Sequence, residues 1–381
     1  MRIGIDCRMF GLKFTGIGRC AYELVDRLIE KNSHLENPHQ IVLFFNENEY
    51  LEFPESKLKD KNIKKILVNA QHYSIKEQTV FLWKIYKEKL DVMHFPHFNV
   101  PLLYRKPYTV TIHDLTLSLF PGNKMTKWYQ RLAYYIVIRN AVRKSKRIIA
   151  VSENTKADIV QMLHVPAKKI EVIYNGVGDE FRMIDDASQF KKTLDKYNIK
   201  KEFLLYTGVW RSHKNLPRLI HAFALLRTKY NLDLQLVITG KDDPCYPEAK
   251  HATRFLNLEN EVIFTGAVDE KELVYLYNAA MIYVLPSLYE GFGLPILESM
   301  KCGTPVVASN VSSIPEICGE GNAILFDPYN PEDIAEKIYT LYRDADLQVK
   351  LIEGGMAHAR EFTWEKMSEK TYDLITTKFS K

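Results

Sequence analysis

The stretch Ile282-Tyr283-Val284-Leu285-Pro286-Ser287-Leu288-Tyr289-Glu290-Gly291-Phe292-Gly293-Leu294-Pro295-Ile296-Leu297-Glu298 reads as a strand, a loop and the start of a helix. Residues 282–285 are apolar without a break, as in a strand buried on both faces. Two glycines bracket Phe292, so the backbone there is expected to take positive φ and to approach a ligand closely. Pro295 suits the first helical position, where a missing N–H costs nothing. A loop rich in unpaired amides thus runs into a helix N-terminus. Such a site favours anions through its N–H groups and about half a positive charge from the dipole. Two carboxylates flank it. Glu298 is expected in the first turn of the helix, where an acid either compensates the dipole or accepts hydrogen bonds from vicinal hydroxyls such as those of a ribose. Glu290 stands just before the amides, as a solvated loop acid or as a group facing a sugar.

The same strand-then-helix alternation extends both ways. Residues 2–6 open the chain as a strand, and a helix follows over about 19–31, with Tyr22, Val25, Leu28 and Ile29 at helical spacing. Further strands are expected near 41–45, 65–68, 92–95, 109–112, 147–151 and 171–173. The stretch 176–198 is polar, with little strand character. The alternation restarts with strands near 203–206, 234–238, 262–264, 282–285, 305–308 and 323–326, and a helix over 216–229. This is α/β architecture: two doubly wound Rossmann-like domains facing across a cleft, with ligands at strand carboxyl ends. The boundaries read as 1–180 for the first domain and 181–364 for the second, with a last helix of about 365–381 packing back on the first.

At 381 residues and a net charge of +5 the chain is only mildly basic, but unevenly so. Residues 1–190 carry about +8 and the remainder about −3. No acidic residue lies between Asp114 and Glu153, a stretch holding Lys124, Lys127, Arg131, Arg139, Arg143, Lys144, Lys146 and Arg147. These cations interleave with Phe120, Trp128, Tyr129, Tyr134 and Tyr135. The plain reading is a helix with a buried aromatic face and a solvated basic face. The functional reading is docking on an anionic membrane or a diphosphate-linked lipid. Nucleic-acid binding is disfavoured, because the rest of the chain is not basic. No apolar window reaches about 18 residues, and the first residues lack the pattern of a signal peptide, so a cytoplasmic protein is expected. Five cysteines (Cys7, Cys20, Cys245, Cys302 and Cys318) show no metal or redox spacing and read as reduced thiols.

Glu290 and Glu298, with seven residues between them, match the E-x7-E motif of family 4 retaining glycosyltransferases, and the chain resembles that family along nearly its whole length. Thr15-Gly16-Ile17-Gly18-Arg19 is similar to the family's N-terminal glycine loop, and Thr111-Ile112-His113-Asp114-Leu115 to its His-Asp segment. Val151-Ser152-Glu153-Asn154-Thr155-Lys156, Tyr174-Asn175-Gly176-Val177, Lys214-Asn215-Leu216, Pro305-Val306-Val307-Ala308-Ser309 and Ser313-Ile314-Pro315-Glu316 recur in matching places. The set looks most like the mannosyltransferase-like branch of surface-polysaccharide biosynthesis.

The resemblance implies a GT-B fold and a nucleotide-sugar donor, GDP-mannose first and UDP-hexoses behind it. The acceptor would be a saccharide or lipid-linked saccharide, with no metal and no cofactor. It puts Glu290 on the transferred sugar, Glu298 on the ribose, and the amides of Phe292, Gly293 and Leu294 on sugar hydroxyls or phosphate. It assigns Lys214 and Arg211 to the donor diphosphate, although His213 here directly precedes Lys214, a departure from many relatives. Gly208, Gly240 and Val268 would line the donor site. Gly16 and Gly18 would lie against phosphate or acceptor. His113 would hold a hydroxyl near the reacting sugar, while Asp114 is structural.

Three other readings compete. Gly16-Ile17-Gly18-Arg19-Cys20-Ala21 fits the G-x-G-x-x-A of a nicotinamide enzyme, but about nine residues separate it from the end of the first strand, where that fingerprint needs its first glycine. A sugar-nucleotide epimerase or a sugar-binding protein could share the fold. Asp344-Ala345-Asp346 has the D-x-D form of a metal site but sits in a polar stretch between helices and reads as solvated surface.

Overall fold

The computed structural model describes residues 1–11, 15–122, 127–186 and 188–377. The chain divides into two units. Unit 1 comprises Met1–Ser118, Lys127–Gly176 and Thr363–Lys381, and unit 2 comprises Leu119–Thr126 and Val177–Phe362.

Unit 1 is built on seven strands: β1 (Arg2–Asp6), β2 (Gln40–Phe45), β3 (Ile63–Leu67), β4 (Val92–Phe95), β5 (Tyr108–Ile112), β6 (Arg147–Ala150) and β7 (Ile170–Val172). Their order is β3-β2-β1-β4-β5-β6-β7, and every pair is parallel. Both central strands β4 and β5 are buried throughout, polar His94, Thr109 and Thr111 included, and His94 Nδ1 lies 2.8 Å from Thr109 Oγ1. The helix Trp364–Thr377 belongs to this unit and packs along the helix Thr15–Ser33. Arg27 Nε donates to Glu365 Oε1 at 2.6 Å, and Lys31 Nζ to Asp373 Oδ1 at 3.3 Å.

Unit 2 carries β8 (Phe203–Thr207), β9 (Gln235–Thr239), β10 (Val262–Gly266), β11 (Ile282–Leu285), β12 (Val306–Ser309) and β13 (Ile324–Phe326). Their order is β10-β9-β8-β11-β12-β13, again all parallel. The strand order reverses between β8 and β11, and in a doubly wound sheet that switch point is where the crevice opens. The α/β, doubly wound expectation therefore holds for both units.

Local differences have physical causes. The helix expected from about residue 19 begins at Thr15, so Gly16 and Gly18 lie in its first turn rather than in a loop. A helix start accepts glycine because its first amides need no intrahelical partner. The polar stretch after Gly176 contains the helix Ser188–Lys196, which buries only Phe190 and Thr193. That is too sparse an apolar stripe to read from sequence. Asp344 is the N-cap of the helix Ala345–Ala359, its carboxylate accepting from Leu347 N at 2.9 Å, so the D-x-D sequence is a cap. In the helix Trp128–Lys144 only Tyr134, Ile138, Ala141 and Val142 are buried. Trp128 is 75% exposed, and Tyr129, Leu132, Tyr135 and Ile136 are exposed as well, so the expected buried aromatic face is largely in water. Phe120 lies outside that helix, and Lys124 lies outside the described residues.

Candidate active site

At the switch point of unit 2 the loops leaving β8 and β11 are stitched together. Leu288 N donates to His213 O at 2.7 Å. Asn215, at φ 60°, donates its side-chain amide to Pro286 O at 3.0 Å and Pro328 O at 2.8 Å. Asparagine tolerates this left-handed backbone better than other non-glycine residues, and its amide ties three loops at once.

This stitching brings Lys214 and Glu290 together. Lys214 Nζ lies 2.6 Å from Glu290 Oε1, with side chains 18% and 14% exposed. Ser287 Oγ donates to the same oxygen at 2.6 Å. Behind the acid, Ser312 and Ser313 hydroxyls donate to Glu290 O at 2.6 and 2.9 Å, and Ser313 Oγ also reaches Phe292 O at 3.0 Å. Ser312 adopts φ 59° to do so. Glu290 is thus fixed by a cation, a hydroxyl and two serines under its backbone.

Gly293 is the helix N-cap at φ 108°, and the helix runs Leu294–Lys301. Positive φ is confined to Gly293, and Gly291 does not adopt it. Pro295 occupies the second helical position, not the first, and Glu298 falls in the second turn, so it does not compensate the dipole in the way expected of a first-turn acid. The Phe292 side chain is buried, its ring 6.1 Å from that of Phe362. It serves the core while its backbone stays in the loop.

Glu298 points toward the floor of the site, where Tyr277 Oη lies 2.8 Å from its Oε2. Tyr277 Oη is also 2.8 Å from Thr207 Oγ1, which lies 3.3 Å from Tyr283 Oη. Beside β8, Gly208 and Gly240 follow the strand ends at φ 148° and 126°. A Cβ on Gly240 would lie 1.9 Å from Gly208 O, so only glycine fits between these backbones. Val268 sits half-buried just beyond β10. The Arg211 guanidinium lies 5.9 Å from the Tyr246 ring, ahead of the short turn Ser212–Lys214.

Gly16, Gly18 and His113 belong to unit 1. His113 follows β5, and its Nε2 is 2.8 Å from Pro96 O. A carbonyl only accepts, so Nε2 carries the proton. Burial holds the ring's pKa below its ordinary value, against the opposing pull of the Pro96 hydrogen bond and Asp114. The neutral ring then has Nδ1 as an acceptor. Asp114 Oδ1 accepts from Thr116 N at 2.8 Å and so shapes the turn.

Nearby, an unforeseen ionic knot closes the carboxyl end of β1. Arg8 is fully buried and bonds Asp6 Oδ2 at 2.7 Å, Glu77 Oε1 at 2.8 Å, Ala70 O at 3.1 Å and Asn99 O at 3.3 Å, with its guanidinium 3.9 Å from the Phe81 ring. Burial pushes the Asp6 carboxyl up, but the Arg8 charge outweighs it and holds Asp6 below its ordinary value.

All five cysteines are free, and burial pushes the Cys20, Cys302 and Cys318 thiols up to about 12, far from a nucleophile's range. Among the described residues no group of three or more His, Cys, Asp or Glu is arranged to hold a metal.

Sequence reasoning singled out Lys214, Glu290 and Glu298 but missed what holds them. Ser287 was findable, since it stands three residues before Glu290. Tyr277, Thr207 and Ser312 reach the site only through tertiary packing.

Residues 14–181 match Glycosyltransferase Family 4, and residues 189–358 match Glycosyl transferases group 1. The chain is 28% identical over 374 residues to O-antigen chain mannosyltransferase B of Escherichia coli, covering 94% of each chain. It is 29% identical over 276 residues to the serotype-specific mannosyltransferase WbdA of Escherichia coli, covering 70% of this chain but 31% of that longer protein. Among solved structures, Anabaena HepE in complex with UDP-glucose superposes with a TM-score of 0.76 at 18% identity, over 99% of this chain and 100% of that one. With both halves matched and both doubly wound units in place, the chain belongs to the family 4 glycosyltransferases of GT-B fold, enzymes that draw sugars from nucleotide-sugar donors.

Proposed function

We propose that the chain transfers mannose from GDP-mannose, with retention of configuration, onto a saccharide or lipid-linked saccharide acceptor. Unit 2 takes the donor and unit 1 the acceptor. The observation that carries this reading is the Lys214–Glu290 pair, 2.6 Å apart at the switch point of unit 2 beside a helix N-terminus. The mannosyltransferase names of the relatives support the choice of sugar.

In this reading Glu290 holds the sugar hydroxyls and Glu298 the ribose. Breaking the sugar–phosphate bond builds negative charge on the leaving diphosphate. Lys214, Arg211 and the amides of Phe292, Gly293 and Leu294 meet that charge as fixed dipoles and cations, which need no reorganisation and no metal. Gly208, Gly240 and Val268 line the donor. Gly16 and Gly18 lie against phosphate or acceptor, and His113 Nδ1 accepts from a sugar hydroxyl. The leaving phosphate takes the acceptor's proton on the same face. A UDP-hexose donor is the second reading, favoured by the likeness to HepE, which was solved with UDP-glucose.

A donor screen tests both: binding and slow hydrolysis of GDP-mannose, UDP-glucose and UDP-galactose by wild type, Glu290→Ala and Lys214→Ala. GDP-mannose is expected to lead, with hydrolysis lost in both variants. If wild type binds no nucleotide sugar, the reading fails.

We also propose a cytoplasmic location with peripheral contact at the inner face of the cell membrane. No described helix is long and apolar enough to cross a bilayer. The helix Trp128–Lys144 instead combines exposed Trp128, Tyr129, Leu132 and Ile136 with Arg131, Arg139, Arg143 and Lys144, the make-up of an interfacial helix on anionic lipid. Flotation with anionic liposomes is expected to carry wild type and to leave Arg131→Glu/Arg139→Glu behind. Equal flotation would remove this contact from the reading.

A further inference from the structure

Tyr277, Thr207 and Tyr283 lie under the donor loop with no contact to solvent that would explain their hydroxyls. Tyr277 and Tyr283 are fully buried and Thr207 is 6% exposed. Tyr277 is in the last turn of the helix Glu270–Ala279, Thr207 ends β8, and Tyr283 is in β11, which neighbours β8 at the switch point.

The chemistry of the groups fixes the direction of every bond. An ionised carboxylate only accepts, so Tyr277 donates its single proton to Glu298 Oε2 at 2.8 Å. Tyr277 Oη must then be the acceptor at 2.8 Å from Thr207, whose hydroxyl donates. Thr207 Oγ1 in turn is the acceptor for the Tyr283 hydroxyl at 3.3 Å. The result is a one-way relay, Tyr283 to Thr207 to Tyr277 to Glu298, in which each bond polarises the next. Burying a phenol hydroxyl costs free energy unless it is bonded, and phenylalanine would fill the same volume without that cost. A relay that terminates on Glu298, a half-buried acid of the helix Leu294–Lys301, gives those hydroxyls a task that packing alone does not need.

We infer that Tyr277 is a positioning residue for the donor's ribose, acting through Glu298, whose carboxylate plane it sets from behind with Thr207. This rests on the proposed reading of Glu298 as the ribose ligand. Tyr277 touches no substrate itself. Its effect is to hold Glu298 in one rotamer, so that the ribose hydroxyls meet an acid already aimed at them.

The test is a cycle between the hydroxyl of Tyr277 and the hydroxyls of the ribose. GDP, UDP and their 2′,3′-dideoxy counterparts are titrated by calorimetry into wild type, Tyr277→Phe and Tyr283→Phe. Tyr283→Phe removes a hydroxyl from the same buried relay without touching Glu298, and so serves as the packing control. For whichever base binds wild type, Tyr277→Phe is expected to weaken the ribose-bearing ligand roughly 3- to 10-fold, the range of one hydrogen bond. The dideoxy ligand should change by less than about 2-fold, and Tyr283→Phe should move both ligands alike. In turnover, Tyr277→Phe should raise donor KM while leaving kcat nearly unchanged, because the ribose is held equally in ground and transition states. Equal losses for both ligands in Tyr277→Phe, or no loss for either, would overturn the inference and leave the donor reading intact. Failure of wild type to bind either nucleoside diphosphate would overturn the donor reading, and the inference with it. Should Tyr277→Phe not fold, Thr207→Val carries the same test, with a smaller loss in the same sense.

Discussion

Replacing Glu290 by glutamine should make the enzyme a worse catalyst and a tighter binder of its own product nucleotide. Lys214 is engaged at 2.6 Å from Glu290 Oε1. At that distance and an effective dielectric of about 20, two unit charges attract by about 6 kcal/mol. Most of this is offset by desolvation of two side chains that are 18% and 14% exposed, leaving about 1–3 kcal/mol net. A diphosphate arriving in the loop must draw Lys214 away from this pair, and it meets an uncompensated carboxylate once it has done so. Glu290→Gln keeps the shape and the Ser287 hydrogen bond, removes the competing charge and frees the cation. Recovery of about half the pair's net worth corresponds to GDP binding roughly 3- to 10-fold more tightly. Turnover should meanwhile fall by about 100-fold or more, because the sugar loses a charged ligand aimed at its transition state. Calorimetry of GDP against wild type, Glu290→Gln, Lys214→Met and the double variant, at low and high salt, measures each quantity. The gain in Glu290→Gln should shrink with salt and vanish when Lys214 is absent. GDP binding to Glu290→Gln as in wild type or more weakly would refute the reasoning, since the pair would then not compete with the phosphate.

Gly240→Ala would place a Cβ 1.9 Å from Gly208 O at a residue whose φ is 126°. The two strand-end loops must then part, costing about 1–3 kcal/mol of stability; thermal unfolding should show the first effect and donor titration a loss of affinity. Arg8→Met would leave Asp6 and Glu77 buried without their cation, with an expected cost of about 3–5 kcal/mol read from denaturant unfolding of unit 1. Burial holds His72, His94 and His97 at pKa values of about 3, below the free value of 6.5. Between those limits the unfolded chain binds more protons than the native one, so stability falls as pH drops below 6.5, by up to about 1.4 kcal/mol per pH unit for each histidine. Glu77, which burial pushes up, offsets part of this. Calorimetric scans from neutral to mildly acid pH should show unit 1 losing stability first, and loss from unit 2 first would contradict the assignment.

Much of the fold was legible because strands buried in a parallel sheet are short runs rich in apolar residues between helices, and β1, β4 and β11 lie at the bounds read from sequence. Helix starts were less legible. The glycines at 16 and 18 suggested a loop, yet a first turn tolerates them, and the two possibilities have the same composition. In the site, Glu290, Glu298 and Lys214 stood out through motif spacing. Their supports did not, because Tyr277 precedes Glu298 by 21 residues and Ser312 follows Glu290 by 22, distances at which only the closed sheet brings side chains together. The Arg8 knot was invisible for the same reason, its partners Asp6 and Glu77 lying two and 69 residues away.

Apart from the short segment Leu119–Thr126, the chain passes from unit 1 into unit 2 after Gly176 and returns at Thr363. Within unit 2, Val177 N donates to Phe362 O at 3.0 Å. Within unit 1, a Cβ on Gly176 would lie 2.1 Å from Trp364 N. Outgoing and returning chain therefore run side by side. In the order of synthesis unit 2 is an insertion, whole before its host is complete. The inner side of the helix Thr15–Ser33, where Leu24 lines a small cavity with Met367 and Thr371, must wait on the ribosome until the helix Trp364–Thr377 emerges to cover it. Unit 1 is thus the half begun first and finished last, and its apolar seam is exposed for nearly the whole of translation.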